Sequence, residues 1–193
     1  MVFSLTRNRP ADDDASRDRF ERLVLPHLDA AYNLARWLAG DDESAHDVAQ
    51  EALLRAFRFR DGLRGEDARP WLLAIVRNTF FTAAKAARRT AHSHEEYDDD
   101  VHGDLPEAAE TLFQRPLSPE AALIAQADGD RLRLALEKLP VVFREVIVLR
   151  ELEDLAYKEI ARVLDVPTGT VMSRLARGRR LLATRLLEDG RGS

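Results

Sequence analysis

Apolar side chains in this chain of 193 residues return every three or four positions, in one segment after another, and no two-residue alternation survives beside that rhythm. An α-helix brings residues i, i+3, i+4 and i+7 to one face, so the spacing restricts the chain to an all-α fold. Phe20, Leu23, Val24, His27, Leu28, Ala31, Tyr32, Ala35 and Leu38 form a first stripe, and Gly40 stops that helix. Ser44 reads as the N-cap of the next helix, with Asp47 three residues on, and Ala45, Val48, Ala49, Ala52, Leu53, Ala56 and Phe57 share one face. Gly62 and Gly65 mark a loop, and Pro70 suits the first turn of a third helix with the apolar face Leu72, Ile75, Val76, Thr79, Phe80 and Ala83. Together these helices predict one small domain over 18–89, preceded by a tail at 1–17.

From 90 to 117 the helical period vanishes and His, Asp, Glu, Gly and Pro dominate, the composition of a flexible linker. Ser118-Pro119-Glu120 reads as a fresh helix start. Leu123, Ala127, Leu132, Ala135, Leu136 and Leu139 carry its apolar face, with a break near Gly129. Pro140 interrupts, Val141–Arg150 reads as a shorter helix, and two more helices follow over 154–164 and 170–187. The second domain is therefore expected over 118–187. Residues 188–193 form a tail, and no C-terminal regulatory domain is expected. The fold class is all-α, with two small helical domains joined by an acidic linker.

The net charge of −5 hides a partition. Arg69 to Thr90 holds five bases (Arg69, Arg77, Lys85, Arg88, Arg89) and no acid, and Val166 to Leu187 holds five more (Arg174, Arg177, Arg179, Arg180, Arg185) and again no acid. Between them, Thr90 to Glu120 holds nine acids against Arg115, a charge of −8, which leaves +3 on the rest of the chain. Two basic helical segments flanking an acidic one suit nucleic-acid contact better than the total suggests. There is no cysteine, which excludes disulfides and thiolate metal sites. The N-terminal MVFSLTRNRPADDD lacks the apolar run of a signal peptide, and no segment is apolar enough for membrane insertion. A soluble, cytoplasmic protein is expected.

The sharpest local signal runs from Leu155 to Leu175 and reads as a helix-turn-helix. Ile160, Ala161 and Leu164 give the first helix an apolar face, with Ala161 small enough for close approach. Asp165 stands where the chain must turn and tolerates the left-handed conformation. Val166 plugs the angle, and Thr170 or Thr168 caps the second helix. Val171, Leu175, Gly178 and Leu182 then face inward, while Met172, Ser173, Ala176, Arg177 and Arg180 face outward. A helix N-terminus favours phosphate, and arginine reads guanine with two hydrogen bonds in the major groove. The bland alternative is a basic, solvated helix in a bundle, which does not require the turn, the caps and the acid-free charge to coincide.

YKEIARVLDVPTGTVMSRLARGRRLL resembles the fourth-region domain of extracytoplasmic-function (ECF) sigma factors, and DVAQEALLRAF (Asp47–Phe57) with PWLLAIVRNTFF (Pro70–Phe81) resembles their second-region domain. The resemblance covers about 20–187, with both motifs in order. It implies that Asp47, Gln50, Glu51 and Arg55 meet the clamp of core RNA polymerase. It also implies that Asn78, with the loop around Arg64–Arg69, holds an unstacked base of the promoter −10 element, and that Arg77, Lys85, Arg88 and Arg89 support that contact, the last three at phosphates. Thr170, Met172, Ser173, Arg174, Arg177 and Arg180 would address the −35 element, with Arg177 the base reader. Each set also fits a bland reading: a solvated face for the α-helix at 47–55, a capping or packing amide for Asn78. Met172 and Ala176 depart from the residues usual at DNA-facing positions, and TAAKAA (Thr82–Ala87) lacks the usual Asp and Arg, which leaves the promoter sequence open. In this family the linker follows the path of nascent RNA, which would place Glu95, Glu96 and Asp98–Asp100 there; a tether and an autoinhibitory screen are the alternatives.

The expected partners are core RNA polymerase, promoter DNA and, by the same resemblance, an anti-sigma factor. A polymerase-independent helix-turn-helix regulator and a decoy that sequesters an anti-sigma factor remain as rival readings. His92, His94 and His102 beside the acids of the linker could hold a divalent metal, but nothing there imposes ligand geometry, and a solvated linker is expected. Trp71, Phe80 and Phe81 suit either base stacking or core packing. With no nucleophile–base set, phosphate-cradling glycine loop or zinc-type motif, no catalytic residue and no cofactor is expected.

Overall fold

The structure is a computed structural model that describes residues 10–91, 129 and 131–189. Among these the backbone is helical wherever it is regular, with no strand. The chain divides into two compact units, Met1–Ala83 and Ala84–Ser193. The linker acids, the three linker histidines and the helix start at Ser118–Glu120 lie outside the described residues.

The first unit contains α1 (Pro10–Val24), α2 (Leu28–Ala39), α3 (Asp42–Arg58) and the start of α4 (Ala68–Ala91). The single helix expected up to Gly40 is in fact two. Pro26 lacks an N–H and its ring blocks helical continuation, so the chain passes through a 3-10 turn at Leu25–His27. Residues 10–17, expected as a tail, form the first turns of α1. Gly40 does end α2, with φ +88°. The cap of α3 is Asp41 rather than Ser44: its side chain accepts from the Ser44 N–H at 2.8 Å. The buried face of α3 is Ala45, Val48, Ala49, Ala52 and Ala56, small residues that let α2 approach closely. Phe57, expected on that face, is 41% exposed. In α4 the buried residues are Ala68, Pro70, Leu72, Leu73, Val76 and Thr79, while Ala83 is exposed and Ile75 and Phe80 are half-buried.

In the second unit, helical backbone at 131–137 (α5) leads through Pro140 into α6 (Val141–Ile147), α7 (Tyr157–Leu164) and α8 (Thr168–Asp189). Gly129, expected near a break, is itself helical. The helix expected to end at Arg150 widens into a π turn at Val148–Leu152, where the Glu153 N–H reaches the Val148 carbonyl at 3.0 Å. Leu136, Leu139, Val146, Val148, Leu149, Ile160, Val163, Leu164, Val171 and Leu175 form the core. Gly178 lies where α8 crosses α6: a Cβ there would stand 3.0 Å from Ile147 Cδ1.

Candidate nucleic-acid and protein interfaces

The turn between α7 and α8 is built as a helix-turn-helix requires. Glu159 accepts from the Ala156 N–H at 2.6 Å and satisfies an orphan donor at the start of α7. Asp165 ends α7 at φ 54°, ψ 48°, the left-handed conformation expected for it. Val166 is half-buried between the helices. The second helix starts at Thr168, and the Val171 N–H bonds to the Pro167 carbonyl at 3.2 Å, so Thr168 and Thr170 lie inside the first turn rather than at its cap.

On α8, Val171, Leu175, Gly178 and Leu182 face inward as expected. Met172 is 54% exposed and Ser173 is exposed, with its hydroxyl donating to the Thr170 carbonyl at 3.0 Å. Thr170 and Arg180 are half-buried, and the half-buried Arg177 guanidinium lies 5.7 Å from the centre of the Phe143 ring, a cation–π contact that aims its head. Arg174 differs from these. Its side chain is only 12% exposed and stands 3.8 Å from Glu145, which is 0% exposed on α6. The reason is register: Arg174 follows Val171 by three and precedes Gly178 by four, so it lies on the inward ridge. A sequence signal exists, because Val141, Glu145, Val148 and Leu149 share one helical stripe and a carboxylate in an apolar stripe needs a cation.

On α3, Asp47, Gln50 and Glu51 are exposed and Arg55 is half-buried, with its Nε donating to Glu51 at 2.7 Å. The same face carries Leu54, 59% exposed, and beside it Phe57, whose ring meets Phe20 edge-on at 5.4 Å under the Arg60 guanidinium at 4.7 Å. Both apolar residues were absent from the expected site. Glu51, Leu54, Arg55, Phe57, Arg58 and Arg60 line a shallow groove there.

Arg64 is exposed and Arg69 half-buried at the loop that enters α4. Burial and the charge of Arg69 hold the His27 imidazole below its usual pKa, against an opposing pull from Asp67. Asn78, Lys85 and Arg89 are exposed on one stripe of α4 at spacings of seven and four, and Trp71 lies seven residues earlier, half-buried. The Asn78 carbonyl accepts from the Thr82 hydroxyl at 2.7 Å. Arg77 stacks on Phe81 at 4.7 Å. Arg88 lies within the helix.

Such an assembly, a helix-turn-helix unit after a helical unit with a mixed polar and apolar outer face, is that of a DNA-binding protein. Residues 23–90 match the family Sigma-70 region 2, and residues 129–182 match Sigma-70, region 4. The ECF RNA polymerase sigma factor SigE of Mycolicibacterium smegmatis is 34% identical over 170 residues, 88% of this chain and 62% of that protein. The RNA polymerase sigma-H factor of Pseudomonas aeruginosa is 33% identical over 83% of this chain and 82% of its own length. The ECF RNA polymerase sigma-E factor of Escherichia coli K12 is 35% identical over 69% of each chain. The chain belongs to the ECF sigma factors of bacterial RNA polymerase. Among solved structures, the sigma factor RpoE of Bartonella quintana, in complex with the anti-sigma factor NepR, superposes with a TM-score of 0.64 at 23% identity over 86% of this chain and 96% of its own. CnrH, in complex with the cytosolic domain of CnrY, gives 0.60 at 23% identity over 93% and 99%. No helix among the described residues is long and apolar enough to cross a membrane.

Proposed function

We propose that this protein is an alternative sigma factor that binds core RNA polymerase and directs transcription from promoters carrying its own −35 and −10 elements. Catalysis belongs to the polymerase, and the protein acts in the cytoplasm. The observation that carries the reading is the outer face of α3: two exposed apolar side chains, Leu54 and Phe57, among Asp47, Gln50, Glu51 and Arg55. Exposed apolar groups ringed by charge suit a protein partner, and a DNA-binding regulator acting alone has no use for them. We assign the region-2 domain to 18–89, the linker to 90–117 and the region-4 domain to 118–187. Asn78, Arg64, Arg69, Arg77, Lys85, Arg88 and Arg89 serve the −10 element; Thr170, Met172, Ser173, Arg177 and Arg180 serve the −35 element. Arg174 acts through Glu145. An anti-sigma factor completes the set of partners, in line with the complex of RpoE with the anti-sigma factor NepR.

Transcription of genomic fragments by purified core polymerase, with and without this protein, tests the reading. New promoter-dependent transcripts are expected, together with co-elution of protein and core in gel filtration. Elution as free chain only, where another sigma factor binds, would refute it. Within that assay Arg177→Ala should cost about 1–3 kcal/mol and relax preference at one −35 position.

A further inference from the structure

The segment between α3 and α4 has little of its own to hold it. From Arg60 to Asp67 its one buried side chain is Leu63. Its local backbone bonds are Gly62 N–H to Phe59 and Leu63 N–H to Arg60, those of a 3-10 turn, and Ala68 N–H to Glu66, and Gly65 takes φ +79°. Its centre is held from α1. Arg19 donates from Nη1 to the Leu63 carbonyl at 3.0 Å and from Nη2 to the Gly65 carbonyl at 2.7 Å. One helical turn earlier, the Ser16 hydroxyl donates to Asp61 at 3.0 Å. Three hydrogen bonds from one face of α1 thus span five residues of the loop.

We infer that Arg19, seconded by Ser16, is a positioning residue for promoter −10 recognition: it holds the loop carrying Arg64 in the shape that receives the unstacked base. The inference rests on the −10 role proposed for that loop. Its chemistry is specific to arginine. A planar guanidinium can bridge two carbonyls two residues apart through separate nitrogens, whereas a lysine ammonium lacks that rigid fork. A loop that must accept an extruded base gains from being ordered beforehand, because order imposed at the moment of binding is subtracted from affinity. The Arg19 bonds end on Leu63 and Gly65, beyond Arg60, the loop's only contribution to the groove on α3, so polymerase binding should survive the loss of Arg19.

The test uses the full chain and its holoenzyme with Arg19→Ala and Arg19→Lys. In the free protein, amide hydrogen exchange over 61–67 should quicken by roughly tenfold in Arg19→Ala, as expected for losing a charged hydrogen bond, and by less in Arg19→Lys. Co-elution with core polymerase should be unchanged, and fluorescence of Trp37 and Trp71 should report an intact first unit. Holoenzyme binding to single-stranded −10 oligonucleotides, substituted one base at a time, should lose discrimination in the order wild type, Lys, Ala. If Arg64→Ala and Asn78→Ala change that discrimination but Arg19→Ala does not, the positioning role is wrong and the −10 reading stands. If the wild-type holoenzyme shows no −10 base preference, the reading itself fails and the role of Arg19 falls with it. Equal loss of core binding and base discrimination would mark Arg19 as a general support of the fold and overturn the inference.

Discussion

Replacing Arg174 separates a helix-positioning role from a DNA-reading one. Arg174→Met keeps most of the side chain's volume but leaves the Glu145 carboxylate, 0% exposed, without the cation 3.8 Å away. Removing one partner of a buried pair costs about 3–5 kcal/mol, whereas replacing both by apolar groups of similar volume is often neutral. The long separation and the 12% exposure of Arg174 place the expected loss near the lower end, about 3 kcal/mol. Adding Glu145→Leu should recover all but about 1 kcal/mol of that. The two tryptophans, Trp37 and Trp71, both lie in the first unit, so a dual readout isolates the effect. In urea, the far-UV circular dichroism transition of the second unit should move to lower denaturant in Arg174→Met and return in the double variant, while the tryptophan transition stays put. The double variant should also keep the −35 preference of the parent. A single-variant loss below about 1 kcal/mol would show that the pair contributes no more than a surface one, and the reasoning from burial would fail. Loss of −35 preference in a stable double variant would make Arg174 a DNA contact after all.

Gly178→Ala sets a helix-propensity gain of about 1 kcal/mol against an overpacking cost of about 1–3 kcal/mol. With Phe143 Cβ 3.3 Å and Ile147 Cδ1 3.0 Å from the new methyl, a net loss is expected in the same urea assay, reduced when Ile147→Val removes the nearer atom. Thr79 is 3% exposed and its hydroxyl lacks a hydrogen-bond partner, so Thr79→Val should stabilise the first unit by about 1–2 kcal/mol, read by tryptophan fluorescence. The hydrogen bond from the Ser44 N–H holds the Asp41 carboxyl below its usual pKa. Its contribution is therefore complete above the usual carboxylate range and disappears as pH falls through the lowered folded value; Asp41→Ala should weaken the first unit near neutrality and leave a shallower acid limb in the pH profile.

The helix-turn-helix was legible because its signals are local. The turn at Asp165, the inward set Val171, Leu175, Gly178 and Leu182, and the exposed Met172 and Ser173 follow from a period of 3.6 residues and from which side chain tolerates a left-handed backbone. The break at Pro26 escaped the periodicity for a physical reason. A three-residue 3-10 turn shifts the phase of the stripe by only about 60°, and an apolar stripe over 100° wide absorbs that shift. The cap of α3 was ambiguous because Asp41, Asp42 and Ser44 all carry side chains able to accept at a helix start. Only the backbone geometry, extended at Asp41, decides among them.

The site residues were harder to read, for two opposite reasons. The family resemblance places Arg174 among the −35 contacts; that its side chain lies inward is a tertiary fact, since the apolar stripe of α6 delivers Glu145 to the same depth. Phe57 falls on the core face by the rule that an apolar residue on a helix belongs to the core, and Leu54 is read on neither face. Yet α3 has only one buried face, and its centre is Ala52 and Ala56, so Leu54 at two positions past Ala52 must point away from it. A leucine left 59% exposed there keeps much of its apolar surface in water in the free chain, so burying the remainder is worth about 1–2 kcal/mol, part of the gain for complete burial. That energy is available only to a partner. Under the core-binding role proposed for this face, it favours the polymerase-bound state over the free one, and the charged ring of Asp47, Glu51 and Arg55 then restricts which partner can collect it.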